Sequence, residues 1–135
     1  MAIVVQKVIK GAERRWQVEV LFGDKPVVVD LVADNVRALV GKIVFVELGV
    51  DGVESWAETM ELPGIYALPG GRHRIVGEIE SQMEIGSGTV LYDLFIEPGP
   101  NYLAIDSNDI GGAVLIEGSR VAIDVTGLQL FPTGT

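Results

Sequence analysis

The chain has 135 residues, a formal net charge of −9, one histidine and no cysteine. The missing cysteine excludes a disulfide scaffold, a Cys-ligated metal and a thiol nucleophile, and the single histidine excludes a multi-His site within one chain. The length fits one domain or two very small ones, and an apolar fraction of 48% excludes a disordered chain.

The dominant pattern is period two: short Val- and Ile-rich runs broken by Gly, Pro, Asn and Asp. Residues 3–9 form the first expected strand. Residues 16–22 form a clearer one, with Trp16, Val18, Val20 and Phe22 on one face and Gln17 and Glu19 on the other. A turn at Gly23-Asp24-Lys25-Pro26 leads to a strand at 27–32, apolar except for Asp30, so both its faces are expected to be covered. Asp34 is placed to cap a short helix that runs through Leu39 and Val40 and ends at Gly41. Strands follow at 42–48 and 53–57, joined by Gly49-Val50-Asp51-Gly52.

Residues 61–71, ELPGIYALPGG, hold two Pro-Gly pairs and read as a connector with a short strand at 65–67. The β pattern resumes at 72–85, where Ile75, Gly77 and Ile79 oppose Val76, Glu78 and Glu80. Gly86-Ser87-Gly88 is a hairpin turn, and strands at 89–96 and 102–106 flank a turn at 97–101. A short apolar run at 114–116, a strand at 120–125 and a last one at 128–131 complete about ten strands, with residues 132–135 expected to fray. β-branched residues fit a pleated surface better than a helix, so the expected class is all-β.

The two halves echo one another. Residues 18–50 and 91–128 both run strand, Leu-Phe, acidic-Pro turn, strand, Asp, polar loop, Gly, basic residue, strand. Leu21-Phe22 matches Leu94-Phe95, Asp30 matches Asp106, and Gly41-Lys42-Ile43 matches the segment from Gly118 to Val121. Two readings follow: two duplicated β units at 1–60 and 72–135 joined by a connector at 61–71, or one barrel over 1–135.

The stretch LAIDSNDIGGAVLIEGSRVAIDVTGLQLFP, residues 103–132, resembles the end of TOBE and Mop-type domains. Leu115 to Gly118 with Val121 carry that family's Leu-x-x-Gly-x-x-Val unit, and RIVGEIESQ at 74–82 looks like its opening strand. The resemblance implies an OB-like β-barrel that serves as an accessory binding domain or a free-standing oxyanion binder. The Mop opening motif of Ser-Ala-Arg-Asn type is missing, Arg72-His73-Arg74 stand in that region, and no ligand residue is carried over.

Charge is uneven: residues 1–42 are net +2 and residues 43–135 net −11. Nucleic acid is therefore not an expected partner, since phosphate neutralisation needs a basic surface. No apolar run has the length of a membrane span or a signal-peptide core, and a cytoplasmic location is expected. Within the acidic part, Gly70, Gly71, Arg72, His73 and Arg74 form the densest basic patch. Glycines let backbone N–H groups turn to one point, and two guanidinium forks with an imidazole can hold an anion. The competing reading is a hairpin entry whose arginines pair with acids such as Glu78 and Glu80.

Other chemistry is thin. His73 has no serine in a nucleophile elbow to activate. Residues 106–112 carry oxygen ligands and glycines but lack the EF-hand spacing, so Asx turns explain them. Gly41-Lys42 lacks the phosphate-loop context. Trp16, Trp56, Tyr92 and Tyr102 read as core or oligomer contacts rather than a base-stacking platform. The expectation is a non-enzymatic binding module for a small anion or metabolite, with no cofactor and no metal. The alternative is an assembly subunit that self-associates into a homo-oligomer or docks a partner protein.

Overall fold

The computed structural model describes residues 1–96 and 101–133. The turn expected at 97–101 lies largely outside the described residues, as does the end of the tail at 134–135. Among the described residues eleven strands are formed: β1 (Ala2–Ala12), β2 (Arg15–Phe22), β3 (Lys25–Val32), β4 (Ile43–Gly49), β5 (Gly52–Glu58), β6 (Gly64–Ala67), β7 (His73–Gly86), β8 (Thr89–Ile96), β9 (Asn101–Asp106), β10 (Arg120–Thr126) and β11 (Gln129–Pro132). The segments between them include three short 3-10 turns, at Val36–Leu39, Pro69–Gly71 and Ser107–Ile110.

Strands β1-β2-β3-β11-β4 close into a barrel. The order β5-β10-β7-β8-β9 makes a second sheet, with β6 paired to the start of β7. Both halves follow one plan: a long strand, a hairpin partner, a third strand, a 3-10 turn, and a fourth strand back beside the first. The correspondence reaches single hydrogen bonds. Gly41 N–H donates to Val5 O and Gly118 N–H to Ile79 O, each at 2.7 Å. Both glycines have positive φ, +81° and +85°, a conformation that L side chains avoid.

The fifth strand of each half comes from the other half. β5 continues from β4 yet pairs with β10, and β11 continues from β10 yet pairs with β4 and, in parallel, with β3. The two crossing points touch. Asp51 N–H donates to Thr126 O at 2.9 Å, and a Cβ on Gly127 would lie 2.1 Å from Asp51 Oδ2. The exchange explains why one contiguous apolar core runs through both sheets, from Ile3 and Val5 through Ile75, Leu94 and Ile123 to Leu130.

Two local expectations are corrected. Asp34 caps no helix: the 3-10 turn at Val36–Leu39 starts from Asn35 without a side-chain cap, and Asp34 instead pairs with Arg14 at 2.6 Å. The run at 114–116 forms no strand. Leu115 is buried, and its N–H donates to the Tyr92 hydroxyl at 3.2 Å, while Val114 and Ile116 are exposed. Residues 106–108 do make the expected Asx turn, with Asn108 N–H donating to Asp106 Oδ1 at 2.8 Å.

Candidate functional site

The loop before β7 and the first residue of β7 share a cleft with β3 of the barrel. Strand alternation decides where each side chain goes, since successive Cβ atoms point to opposite faces. His73 turns inward to the barrel, with 6% of its surface exposed. Its Nε2 lies 2.7 Å from Val28 O on β3. A carbonyl oxygen only accepts, so Nε2 carries the proton and donates. The other ring nitrogen, Nδ1, is buried with no hydrogen-bond partner.

Beside His73 lies a cleft of about 420 Å³ between barrel and second sheet, lined by Arg15, Asp30, Gly71, Arg72, His73 and Leu128 among others. Arg72 donates from Nε to Pro69 O at 3.1 Å and from Nη1 to Glu54 Oε2 at 3.3 Å. Both side chains of that ion pair are 40% exposed. Such a surface pair contributes about 0–1 kcal/mol, so the guanidinium can exchange partners at little cost. Arg15 is held by Asp30, with Nε 2.8 Å and Nη2 2.7 Å from Oδ2.

Arg74 goes elsewhere. It emerges on the opposite face of β7 and binds Asp124 on β10 in bidentate fashion, Nε to Oδ1 at 2.7 Å and Nη2 to Oδ2 at 3.0 Å. Nη1 also donates to Glu61 Oε1 at 3.2 Å. These bonds, and the charge behind them, hold the Asp124 carboxyl below its ordinary range and raise Arg74 further. Arg74 lines a separate cleft of about 280 Å³ with Ser55, Trp56 and Glu61.

The expected cluster is thus divided. Gly71, Arg72 and His73 share one cleft, Arg74 lies in another, and Gly70 supplies a positive-φ turn, at +80°, beside Arg72. The acids expected to pair with the arginines are engaged differently. Glu78 accepts from Arg120 Nη2, and Glu80 accepts from the Tyr102 hydroxyl. Sequence reasoning missed Arg15, Asp30 and the Gly127-Leu128 crossing as cleft residues. Asp30 carried a signal, being the only charged position between Val27 and Val32. The aromatic residues do not gather into a platform: Tyr92 is buried, Trp16 donates from Nε1 to Ala33 O at 3.1 Å, and Tyr102 stacks at an angle on Phe95. Among the described residues no group of three or more acidic, His or Cys side chains is placed to hold a metal ion, and no helix is long and apolar enough to cross a membrane.

No family model and no curated protein matches the chain. Among solved structures it is similar to the cytoplasmic molybdate-binding protein ModG, in a crystal form with molybdate bound. The TM-score is 0.57 at 17% identity, over 96% of this chain and 92% of that one. A likeness at that identity shows the fold, the all-β, OB-like barrel architecture that the TOBE and Mop resemblance implies.

Proposed function

We propose that the chain is a non-enzymatic binding protein for a small oxyanion, held in the cleft of Arg72 and His73 between the barrel and the second sheet. The observation that carries this reading is the convergence there of an exchangeable guanidinium, a second arginine and a buried imidazole. ModG, whose fold the chain shares, is a molybdate-binding protein, which supports an anion as ligand class and a cytoplasmic setting. In this reading the two β units meet at the ligand. Each is built on its own half, 1–60 or 72–135, and the exchanged β5 and β11 tie them together.

The test is calorimetric titration with molybdate, sulfate and orthophosphate, backed by thermal melts. A ligand that binds only the folded state raises Tm by mass action. Arg72→Ala should weaken binding about tenfold or more, the worth of one charge-assisted hydrogen bond. Wild-type protein that binds none of the three, or an Arg72→Ala variant that binds as tightly as wild type, overturns the reading.

A second reading, self-association, rests on a different surface. On β4, Ile43 and Phe45 are 69% and 55% exposed, next to Ala2 and Val4 on β1. In the second sheet Ala2 and Phe45 are matched by Val76 and Ala122, which are buried, and Val4 and Ile43 by Glu78 and Arg120, an ion pair beside which the connector folds back. Thr59 N–H donates to Arg120 O at 3.1 Å, and Arg120 Nη1 donates to Glu61 O at 3.4 Å. Residues 1–49 are net +1 and residues 50–128 net −10, so two barrels can approach each other with far less repulsion than two acidic sheets. We infer that a second copy covers the Ile43 and Phe45 strip. Sedimentation should give a discrete oligomer that Phe45→Asp dissociates; a wild-type monomer at every concentration rules it out.

A further inference from the structure

We propose that the cleft takes a phosphorylated polyol, of the sugar phosphate class, with the phosphate at Arg72 and the hydroxyl groups along Gln17 and Asp30. The inference rests on the reading of the cleft as an anion site and names the class of ligand that fills it.

The cleft holds about 420 Å³, room for roughly fourteen waters at about 30 Å³ each. A second hollow of about 330 Å³ adjoins it, lined by Lys10 and the start of β2. Arg15, Gln17 and Asp30 line both, so they lie between Arg72 and Lys10. A bare tetrahedral oxyanion fills only a small part of that space. Clefts of about 300–1,000 Å³ are the size that small organic ligands occupy.

Charge narrows the ligand further. Arg15 gives both Nε and Nη2 to one oxygen of Asp30, Oδ2, so its charge is answered within the wall. Arg72, in its exposed pair with Glu54, changes partner at little cost. An oxyanion lodged midway would face the Asp30 carboxylate. One anionic group beside Arg72 therefore fits, and the part of the ligand beside Asp30 must be uncharged. That part meets unused hydrogen-bonding groups. Among the described residues no donor is placed on Asp30 Oδ1, and the Gln17 amide makes no hydrogen bond. Gln17 and Asp30 stand directly opposite each other across β2 and β3, so their side chains share one face. A carboxylate accepts, and an amide both donates and accepts, which is the pattern that neighbouring hydroxyl groups complete. Both residues are half-buried, where a completed hydrogen bond is stronger than in open water.

The experiment is calorimetric titration of wild-type protein at neutral pH with ribose 5-phosphate, methyl phosphate and unphosphorylated ribose. Ribose 5-phosphate should bind at least about tenfold more tightly than methyl phosphate, which has the same head group and no hydroxyls, the worth of two ordinary hydrogen bonds. Ribose should not bind at concentrations that saturate its phosphate. Gln17→Ala should remove most of the preference and leave methyl phosphate affinity unchanged. Asp30→Ala removes the carboxylate and frees Arg15, so methyl phosphate should bind more tightly while ribose 5-phosphate loses its lead. Methyl phosphate binding as tightly as ribose 5-phosphate to wild type overturns the polyol and leaves the anion cleft standing. Ribose binding as tightly as its phosphate overturns the anion reading, and binding of none of the three overturns both. Should Asp30→Ala fail to fold by circular dichroism, the wild-type order of affinities and the Gln17→Ala ratio still decide.

Discussion

Gly77→Ala should lower stability by about 3 kcal/mol, at the upper end of the cost of forcing a methyl group into a packed interior. For a chain of this size that is a fall in Tm of about 10 °C. The reason is a close approach of backbone to backbone. A Cβ on Gly77 would lie 2.2 Å from Phe95 O and 3.0 Å from Phe95 C, with Leu94 Cδ1 at 3.1 Å. Side-chain tips can swing aside, but a carbonyl in a ladder cannot move without its strand. Displacing β8 would break the neighbouring pairs of Glu78 with Phe95 and Ile79 with Leu94. Gly77 stands where β7 passes from pairing with β6, which ends at Val76, to pairing with β8, which begins at Glu78. The crowding belongs to that transfer. Gly88 is the control: it has φ +77°, and a methyl group there would meet no atom within 4 Å, so Gly88→Ala should cost only about 1 kcal/mol, for backbone strain alone. Urea unfolding of both variants checks the contrast. Equal losses would show that β8 yields freely and that the close approach has no energetic weight.

Much of this was legible locally. Alternation in 16–22 places Val18, Val20 and Phe22 in the core, and all are buried. The strand at 27–32, expected to be covered on both faces, is buried on one, at Val27, Val29 and Leu31, and half-buried on the other, at Val28, Asp30 and Val32. The match of Gly41 with Gly118 survives to the level of equivalent hydrogen bonds. The match of Leu21-Phe22 with Leu94-Phe95 does not survive. Phe22 is buried on its strand, whereas Leu94 and Ile96 are the buried pair on β8, so like residues were aligned one position out of phase. With a period of two, a slip of one residue exchanges the faces of the strand. The same rule divides Arg72, His73 and Arg74, which look like one patch only when read as a string.

The exchange of β5 and β11 was not legible. Gly49-Val50-Asp51-Gly52 reads as a turn between two strands, and β4 and β5 pair with different halves of the chain. Local composition says that the chain turns, not which edge it then finds. The partner is chosen by long-range pairing, which brings Asp51 to Thr126 and Gln129 to Gly49. The cleft depends on this choice, because Gly127 and Leu128, at the crossing into β11, form part of its wall.

Asp124→Asn should cost about 2 kcal/mol at pH 7, and the cost should vanish in acid. Arg74 and Asp124 face one another across β7 and β10, and the carboxylate accepts two guanidinium bonds. Asp124 is 16% exposed and Arg74 33%, so solvent screens the pair in part and the loss stays below that of a deeply buried one. The carboxyl is held below its usual range chiefly by hydrogen bonds from Arg74, then by the Arg74 charge, against the opposing effect of burial. A group whose folded pKa is depressed adds stability above its unfolded pKa, about 4 for aspartate, and loses it as pH falls through the folded value. The gap between wild type and Asp124→Asn, measured by urea unfolding, should be full at pH 7 and begin to narrow as pH drops past about 4. It should close once the folded carboxyl is protonated. A gap constant from neutral pH into strong acid would mean that Asp124 acts through shape rather than charge. Anion affinity should be unchanged in this variant at neutral pH, because Arg74 and Asp124 lie in the other cleft. Lost anion binding in a folded Asp124→Asn protein would move the site from Arg72 and His73 to Arg74.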